Sequence, residues 1–292
     1  MIMTRLVGGL GNQLFQYAAG RSLAARLGVE LKLDSSWIDG AGGANPGAIR
    51  RYRLECFALP FELVPARRIA RLPPRSRLEY HAQQLLPSRK PALTTLVEDS
   101  VPELDRRIFS ASDNSCVLGF WESERYFAEH ADLIRAELRF MEPSPAVAEL
   151  AAEISRRNAV SIHVRRGDKL TTPSASTKYV SLPASWYLAA LQELEHHVDR
   201  VDTVYVFSDD TAWCRSQLDL PHPTVMVEGH PDYDDLRLMS LCRHHVIANS
   251  TFSWWGAWLD PRPDKVVIAP ARWRNDKPTV DVVPPSWIQL PS

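Results

Sequence analysis

The stretch His163-Val164-Arg165-Arg166-Gly167-Asp168 sets two guanidiniums and a carboxylate directly after an apolar run, Ala159–Val164, that reads as a buried strand. Arginine presents a rigid planar fork of donors that matches phosphate oxygens. The carboxyl end of a strand in an open α/β sheet is also where such folds hold ligands. The pattern therefore points to a phosphate site built on Arg165, with His163 and Asp168 beside it. A surface Arg–Asp pair closing a loop is the alternative for this motif taken alone.

Three further segments have the same grammar of strand end, polar residues and helix start. In Asn249-Ser250-Thr251-Phe252-Ser253-Trp254-Trp255, a short run ending in Val246 and Ile247 leads into a helix that Ser250 or Thr251 can cap. The first N–H groups and positive dipole end of that helix suit an anion. In Thr203-Val204-Tyr205-Val206-Phe207-Ser208-Asp209-Asp210, a β-branched and aromatic strand stops at two carboxylates. They suit Mg²⁺ on a diphosphate or the N–H donors of a guanine, and Asp209 also suits a plain helix N-cap. At the start, Val7-Gly8-Gly9-Leu10-Gly11-Asn12-Gln13 joins a strand to an amphipathic helix. Leu14 stands where the dinucleotide fingerprint has its third glycine, so this is a βα opening without that fingerprint. Asn12 and Gln13 sit where backbone and amide donors could meet a ligand or only satisfy the loop.

In this order the segments resemble the α-1,2-fucosyltransferases of glycosyltransferase family 11. Residues 8–17, the His163–Asp168 motif, Phe207-Ser208-Asp209-Asp210 and 249–255 match the family's signatures, with smaller echoes at 33–37, 52–57, 119–127 and 235–241. The likeness runs over about residues 1–273 and is weakest over 60–117. It implies a GT-B-like α/β fold, two Rossmann-like domains with a cleft between them. It implies an inverting enzyme that moves L-fucose from GDP-fucose to the 2-hydroxyl of a terminal galactoside, with no metal or other cofactor. Donor contacts carried over are Gly11, Asn12, His163, Arg165, Asp168, Asp209, Asn249, Ser250, Thr251, Phe252 and Ser253. Arg165, His163 and Asn12 are the catalytic candidates. No carboxylate in the motifs identifies itself as the base, so Asp34 and Glu122 are carried as candidates beside His163. A sugar-nucleotide or glycan-binding protein without turnover is the alternative, with Trp121, Trp254 and Trp255 as stacking platforms.

Composition fits this reading. Of 292 residues, 45% are hydrophobic and 24% charged, the size and balance of two α/β domains. A net charge of −1 gives no field that would favour nucleic acid. Cys56, Cys116, Cys214 and Cys242 have no C-x-x-C spacing and read as reduced thiols. No run reaches the ~20 apolar residues of a membrane span, and the expectation is a cytoplasmic protein. Residues 67–90 hold seven basic side chains, from Arg67 to Lys90, against one acid, Glu79. That stretch is either a solvated face or a contact for the anionic inner membrane surface.

The elements that must position these groups fall into two halves, 1–142 as an acceptor-side domain and 143–292 as the donor-binding domain, with 141–145 as the linker. The first half reads as strand 4–8, helix 13–27, strand 30–33, a Gly-rich loop at 40–47 and helix 124–138. The second alternates helix 146–156, strand 160–164, helix 183–197, strand 203–207, helix 211–218, helix 233–241, strand 245–248, helix 252–259 and strand 265–269. Such alternation implies a parallel sheet.

Overall fold

In the second half, every other residue of each buried strand faces a different layer of helices. A computed structural model describes residues 1–39, 51–59, 61–64, 93–99, 103–167 and 177–292. The 40–47 loop, the basic stretch at 67–90 and Asp168 lie outside them. The described chain forms two compact units, Met1–Arg139 and Phe140–Ser292.

The second unit carries six parallel strands: β6 (Ala159–Val164), β7 (Thr203–Ser208), β8 (Thr224–Val227), β9 (His244–Val246), β10 (Val267–Pro270) and β11 (Ile288–Leu290), in the order β11-β10-β9-β6-β7-β8. Counted within the unit this is the doubly wound order 6-5-4-1-2-3, and the order reverses between β6 and β9. On one face Val160, Ile162, Val164, Val204, Val206 and Val246 pack against helix Ala184–Glu195 and Cys214. On the other, Tyr205 and Phe207 pack with Val147, Ile154, Leu238, Met239 and Phe252. That second layer holds helices Pro145–Ser155, Asp232–Leu241 and Thr251–Leu259. Ser144 caps the first of these through the Val147 N–H, and Pro145 at its first turn needs no N–H partner.

The first unit has five parallel strands: β1 (Ile2–Arg5), β2 (Leu31–Asp34), β3 (Glu62–Val64), β4 (Thr94–Val97) and β5 (Ser115–Leu118), in the order β3-β2-β1-β5-β4. Helix Leu10–Leu27 follows β1 and ends on Gly28, whose φ of 65° lets its N–H bond the carbonyls of Ala24 and Ala25. The close-approach glycine of this βα unit is Gly20, because a Cβ there would meet Thr4 Oγ1 at 1.9 Å.

Two expected elements differ. The strand expected over 4–8 is Ile2–Arg5, because the Val7 N–H is taken by Gln16 Oε1 at 2.8 Å and Gly8 turns the chain at φ 79°. The helix expected over 124–138 is two 3₁₀ turns, Glu124–Tyr126 and Ala128–His130, followed by helix Ala131–Glu137. Tyr126 and Phe127 are both buried, edge-on to Trp121 and 6.2 Å from Phe15 respectively. The Phe127 backbone, at φ −140° and ψ 10°, lies outside the helical region and separates the two 3₁₀ turns.

Candidate active site

The carboxyl ends of β6 and β7 are tied together by charge. Asp209 Oδ1 accepts from the Arg166 N–H at 2.9 Å, and its Oδ2 lies 3.2 Å from Arg165 Nη1. Gly167 closes over the same carboxylate, since a Cβ there would sit 2.7 Å from Asp209 Oδ2. The Arg165-Arg166-Gly167 loop is thus wrapped around Asp209, which explains the glycine. The two arginines are not equivalent. Arg166 lays its guanidinium 4.0 Å from the centre of the Trp213 ring and reaches Asp210 Oδ2 at 3.4 Å. Arg165, with 30% of its side chain exposed, is the one presented at the strand edge. The helix cap expected at Asp209 is Asp210, whose Oδ1 accepts from the Trp213 N–H at 3.0 Å.

Across the reversal point, β9 leads into helix Thr251–Leu259. Ser250 occupies the N-cap position in extended geometry, yet its side chain makes no capping bond, and Ser253 Oγ donates to the Ser250 carbonyl at 3.3 Å. A helix start without a side-chain cap keeps its dipole end and amides oriented toward an anion. Phe252 packs its ring 5.6 Å from that of His163, which is buried on β6. His163, Arg165, Asp209 and the 250–253 turn therefore converge at one edge of the sheet. Asn249 has a different job: its Nδ2 donates to the Val180 carbonyl at 3.0 Å and the Trp273 carbonyl at 2.8 Å, holding two neighbouring loops.

Asp235, in the first turn of helix Asp232–Leu241, was not singled out as a site residue by the sequence. Helices Asp232–Leu241 and Thr251–Leu259 lie on the same face, both antiparallel to the strands, and Met239 meets Gly256. Asp235 and Phe252 each stand one turn N-terminal of that contact. Among the described residues, none hydrogen-bonds the buried Asp235 Oδ1. Burial, then the neighbouring Asp234 carboxylate, pushes the Asp235 carboxyl up to about 7. Perturbed acids concentrate at functional sites.

In the first unit, Gly11 is buried within the helix, and Asn12 packs its side chain over Gly8. The buried amides of the following turns organise loops. Gln13 Nε2 donates to the carbonyls of Gly8 (3.0 Å) and Arg51 (2.8 Å), and Gln16 Nε2 donates to that of Gly119 (3.1 Å). Asp34 is fully buried and receives Arg5 Nε and the Ser36 N–H at 2.8 and 2.9 Å. Glu98, which the sequence does not flag, accepts the N–H groups of Phe120 (2.7 Å) and Trp121 (3.2 Å). It holds Trp121 in the left-handed region at φ 56°. Burial pushes Glu98 up to about 8 against those two donors, helped by Glu122 and Asp105. Trp121, Trp254 and Trp255, expected as stacking platforms in the binding-only alternative, are fully buried and offer no face to a sugar.

The sequence model of glycosyl transferase family 11 matches residues 99–290, which includes every convergent group in the second unit. The chain belongs to glycosyl transferase family 11. Its full length aligns with the Alpha-1,2-colitosyltransferase of Escherichia coli, 29% identical over 99% of each chain. It also aligns with the O-antigen biosynthesis glycosyltransferase WbnK of Escherichia coli, 29% identical over 98% of this chain and 99% of that one. The Galactoside 2-alpha-L-fucosyltransferase SEC1 of Bos taurus is 32% identical over 106 residues, 34% of this chain and 28% of the relative. Among solved structures, the NodZ alpha-1,6-fucosyltransferase co-crystallized with GDP shares the fold with a TM-score of 0.50, at 16% identity over 91% of this chain and 94% of that one. The protein is thus a family 11 glycosyltransferase with the GT-B-like pair of α/β units. Among the described residues, no helix is long and apolar enough to cross a membrane.

Proposed function

We propose that this family 11 enzyme transfers L-fucose, or its 3-deoxy counterpart colitose, from the GDP-linked sugar to the 2-hydroxyl of a terminal galactoside with inversion. The observation that carries this reading is the convergence of Arg165 and the helix start at 250–253 on the reversal point of the second unit's sheet. As the glycosidic bond breaks, the departing diphosphate gains a full charge. A guanidinium and a helix N-terminus are preorganised for that charge, and one such donor contributes about 2.7–4 kcal/mol to the barrier. This leaves no role that a metal must fill. Asp209 and Asp210 are both engaged by guanidinium groups, which argues against their being Mg²⁺ ligands.

Asp209 was expected to meet guanine; its geometry fits better the task of orienting Arg165. Asp235, with a buried oxygen that no described residue hydrogen-bonds, suits the N1–H and N2–H₂ donors of the base. Asp168, outside the described residues, stays a donor-side candidate with His163, Thr251, Phe252 and Ser253. In the first unit the ion pair of Asp34 withdraws it from proton abstraction, and Glu122 keeps the role of base in this reading. That unit is assigned to the acceptor. The colitose arm rests on the full-length relative's name; the fucose arm rests on the family's motifs. Measuring GDP release with GDP-fucose and with its 3-deoxy analogue, against a panel of terminal β-galactosides, decides between them. Release with neither donor would reject the proposal.

A further inference from the structure

Two side chains hidden in apolar strands, Ser161 and His245, and the C-cap residue Asp260 form a continuous buried chain beneath helix Thr251–Leu259. Ser161 on β6 and His245 on β9 are register partners, and Ser161 Oγ lies 2.8 Å from His245 Nδ1. His245 Nε2 lies 3.2 Å from Asp260 Oδ2, and Asp260 Oδ1 accepts from Arg262 N–H (3.0 Å) and Nε (2.7 Å). Burial holds His245 below its usual range although Asp260 pulls the other way, so the ring is neutral. In that tautomer Nε2–H donates to the carboxylate and Nδ1 accepts the Ser161 hydroxyl. The chain continues to the C-terminal ends of helices Asp232–Leu241 and Thr251–Leu259. Arg262 Nη2 donates to the carbonyls of Leu241 (3.1 Å) and Cys242. Lys265 Nζ donates to those of Ala257 (2.7 Å) and Asp260.

The order Ser–His–Asp is that of hydrolytic triads, but none of the three is more than 2% exposed, so no substrate can reach the hydroxyl. The arrangement instead ties the C-terminal end of helix Thr251–Leu259 to β6 and β9, the strands on either side of the reversal point. Apolar contacts from Trp255 and Trp258 are non-directional, and Trp254 Nε1–H donates to the Val282 carbonyl at 2.8 Å, a bond to a loop and not to the strands. Directional bonds between buried groups select one register. The N-terminal field of a helix acts only within about its first turn, so that register decides how near its amides come to an anion.

We propose that Ser161, His245 and Asp260 are positioning residues that set the axial place of helix Thr251–Leu259 against the donor's diphosphate. The inference rests on the reading of residues 250–253 as a diphosphate site. It is tested by calorimetric affinities for GDP and GMP in wild type, His245→Phe and Asp260→Asn. Leu194→Ala, a core truncation on the opposite face of the sheet, serves as the stability control. Wild type should bind GDP more tightly than GMP. In both network variants that ratio should fall about fivefold, the size of a helix-terminus contribution, with GMP affinity unchanged. In Leu194→Ala the ratio should hold despite a lower Tm. Should His245→Phe fail to fold, Ser161→Ala removes one oxygen and carries the same test. Equal GDP and GMP affinities in wild type would overturn the diphosphate site itself. A preserved ratio in the network variants beside a clear wild-type preference would overturn the positioning role alone.

Discussion

Arg165→Ala should do more harm than the loss of one donor, because it leaves Asp209 facing the phosphates. The lost donor costs about 10²–10³ in kcat, since it acts on charge that grows in the transition state. Asp209 keeps the Arg166 N–H but loses its guanidinium, and two like unit charges about 5–6 Å apart at an effective dielectric of about 20 repel by about 3 kcal/mol. With Arg165 30% and Asp209 24% exposed, solvent screening reduces this to about 1.4 kcal/mol, a factor of about ten. Asp209→Asn in the Arg165→Ala background should therefore recover about tenfold in kcat/KM, while Asp209→Asn alone should lower it. The assay is steady-state GDP release at saturating acceptor, with GDP affinity measured in parallel. A further tenfold loss in the double variant would refute the reasoning and return Asp209 to contact with the base.

Arg165→Lys should fail nearly as badly as Arg165→Ala, because a point charge cannot meet Asp209 and a phosphate in one plane; near-wild-type GDP release would argue against this. Asp235→Asn should weaken GDP binding more than binding of the inosine diphosphate that lacks the N2 amine. In wild type, GDP affinity should rise with pH through about 7 as the carboxyl ionises, and a flat calorimetric profile would remove Asp235 from the base. Glu98 is raised from 4.5 to about 8 in the folded protein, so its contribution to stability is full below pH 4.5 and is lost as pH rises to 8. Glu98→Gln should accordingly gain in Tm relative to wild type at pH 8.5 and show no gain at pH 4.5, as read by thermal melts. Glu122→Gln should lower kcat without changing GDP affinity; retention of kcat would dismiss it as the base.

Much of the second unit was legible because its strands are uniformly apolar and end abruptly in charge. β6 and β7 announce themselves through Val160, Ile162, Val204 and Val206, and Arg165, Asp209 and Ser250 mark their ends or that of β9. The same uniformity concealed the alternation: Ser161, His163 and His245 share the face that meets helix Thr251–Leu259, and a six-residue buried run shows no period. Edge strands such as Thr224–Val227 and Ile288–Leu290 were not read, being three or four residues long and flanked by prolines. In the first unit the signature glycines and amides look like ligand contacts. Gln13 is a loop tie, the second of its two readings, and Gln16 ties another loop; both roles are set by carbonyls, of Arg51 and Gly119, that lie far away in sequence. The roles of Arg165 and Arg166 could not be separated without Trp213, which reaches Arg166 from the next strand–helix turn.

The central claim is that a GDP-bound 6-deoxy sugar is transferred with inversion from the Arg165 edge of the second unit, without metal. It is tested most directly by incubating the protein with GDP-β-L-fucose and a terminal β-galactoside in EDTA and assigning the product by NMR. The account predicts an α-linked sugar on the galactose 2-hydroxyl, formed by wild type and at most at trace rates by Arg165→Ala. A β-linked product, another linkage position, or turnover that vanishes in EDTA and returns with Mg²⁺ would contradict it.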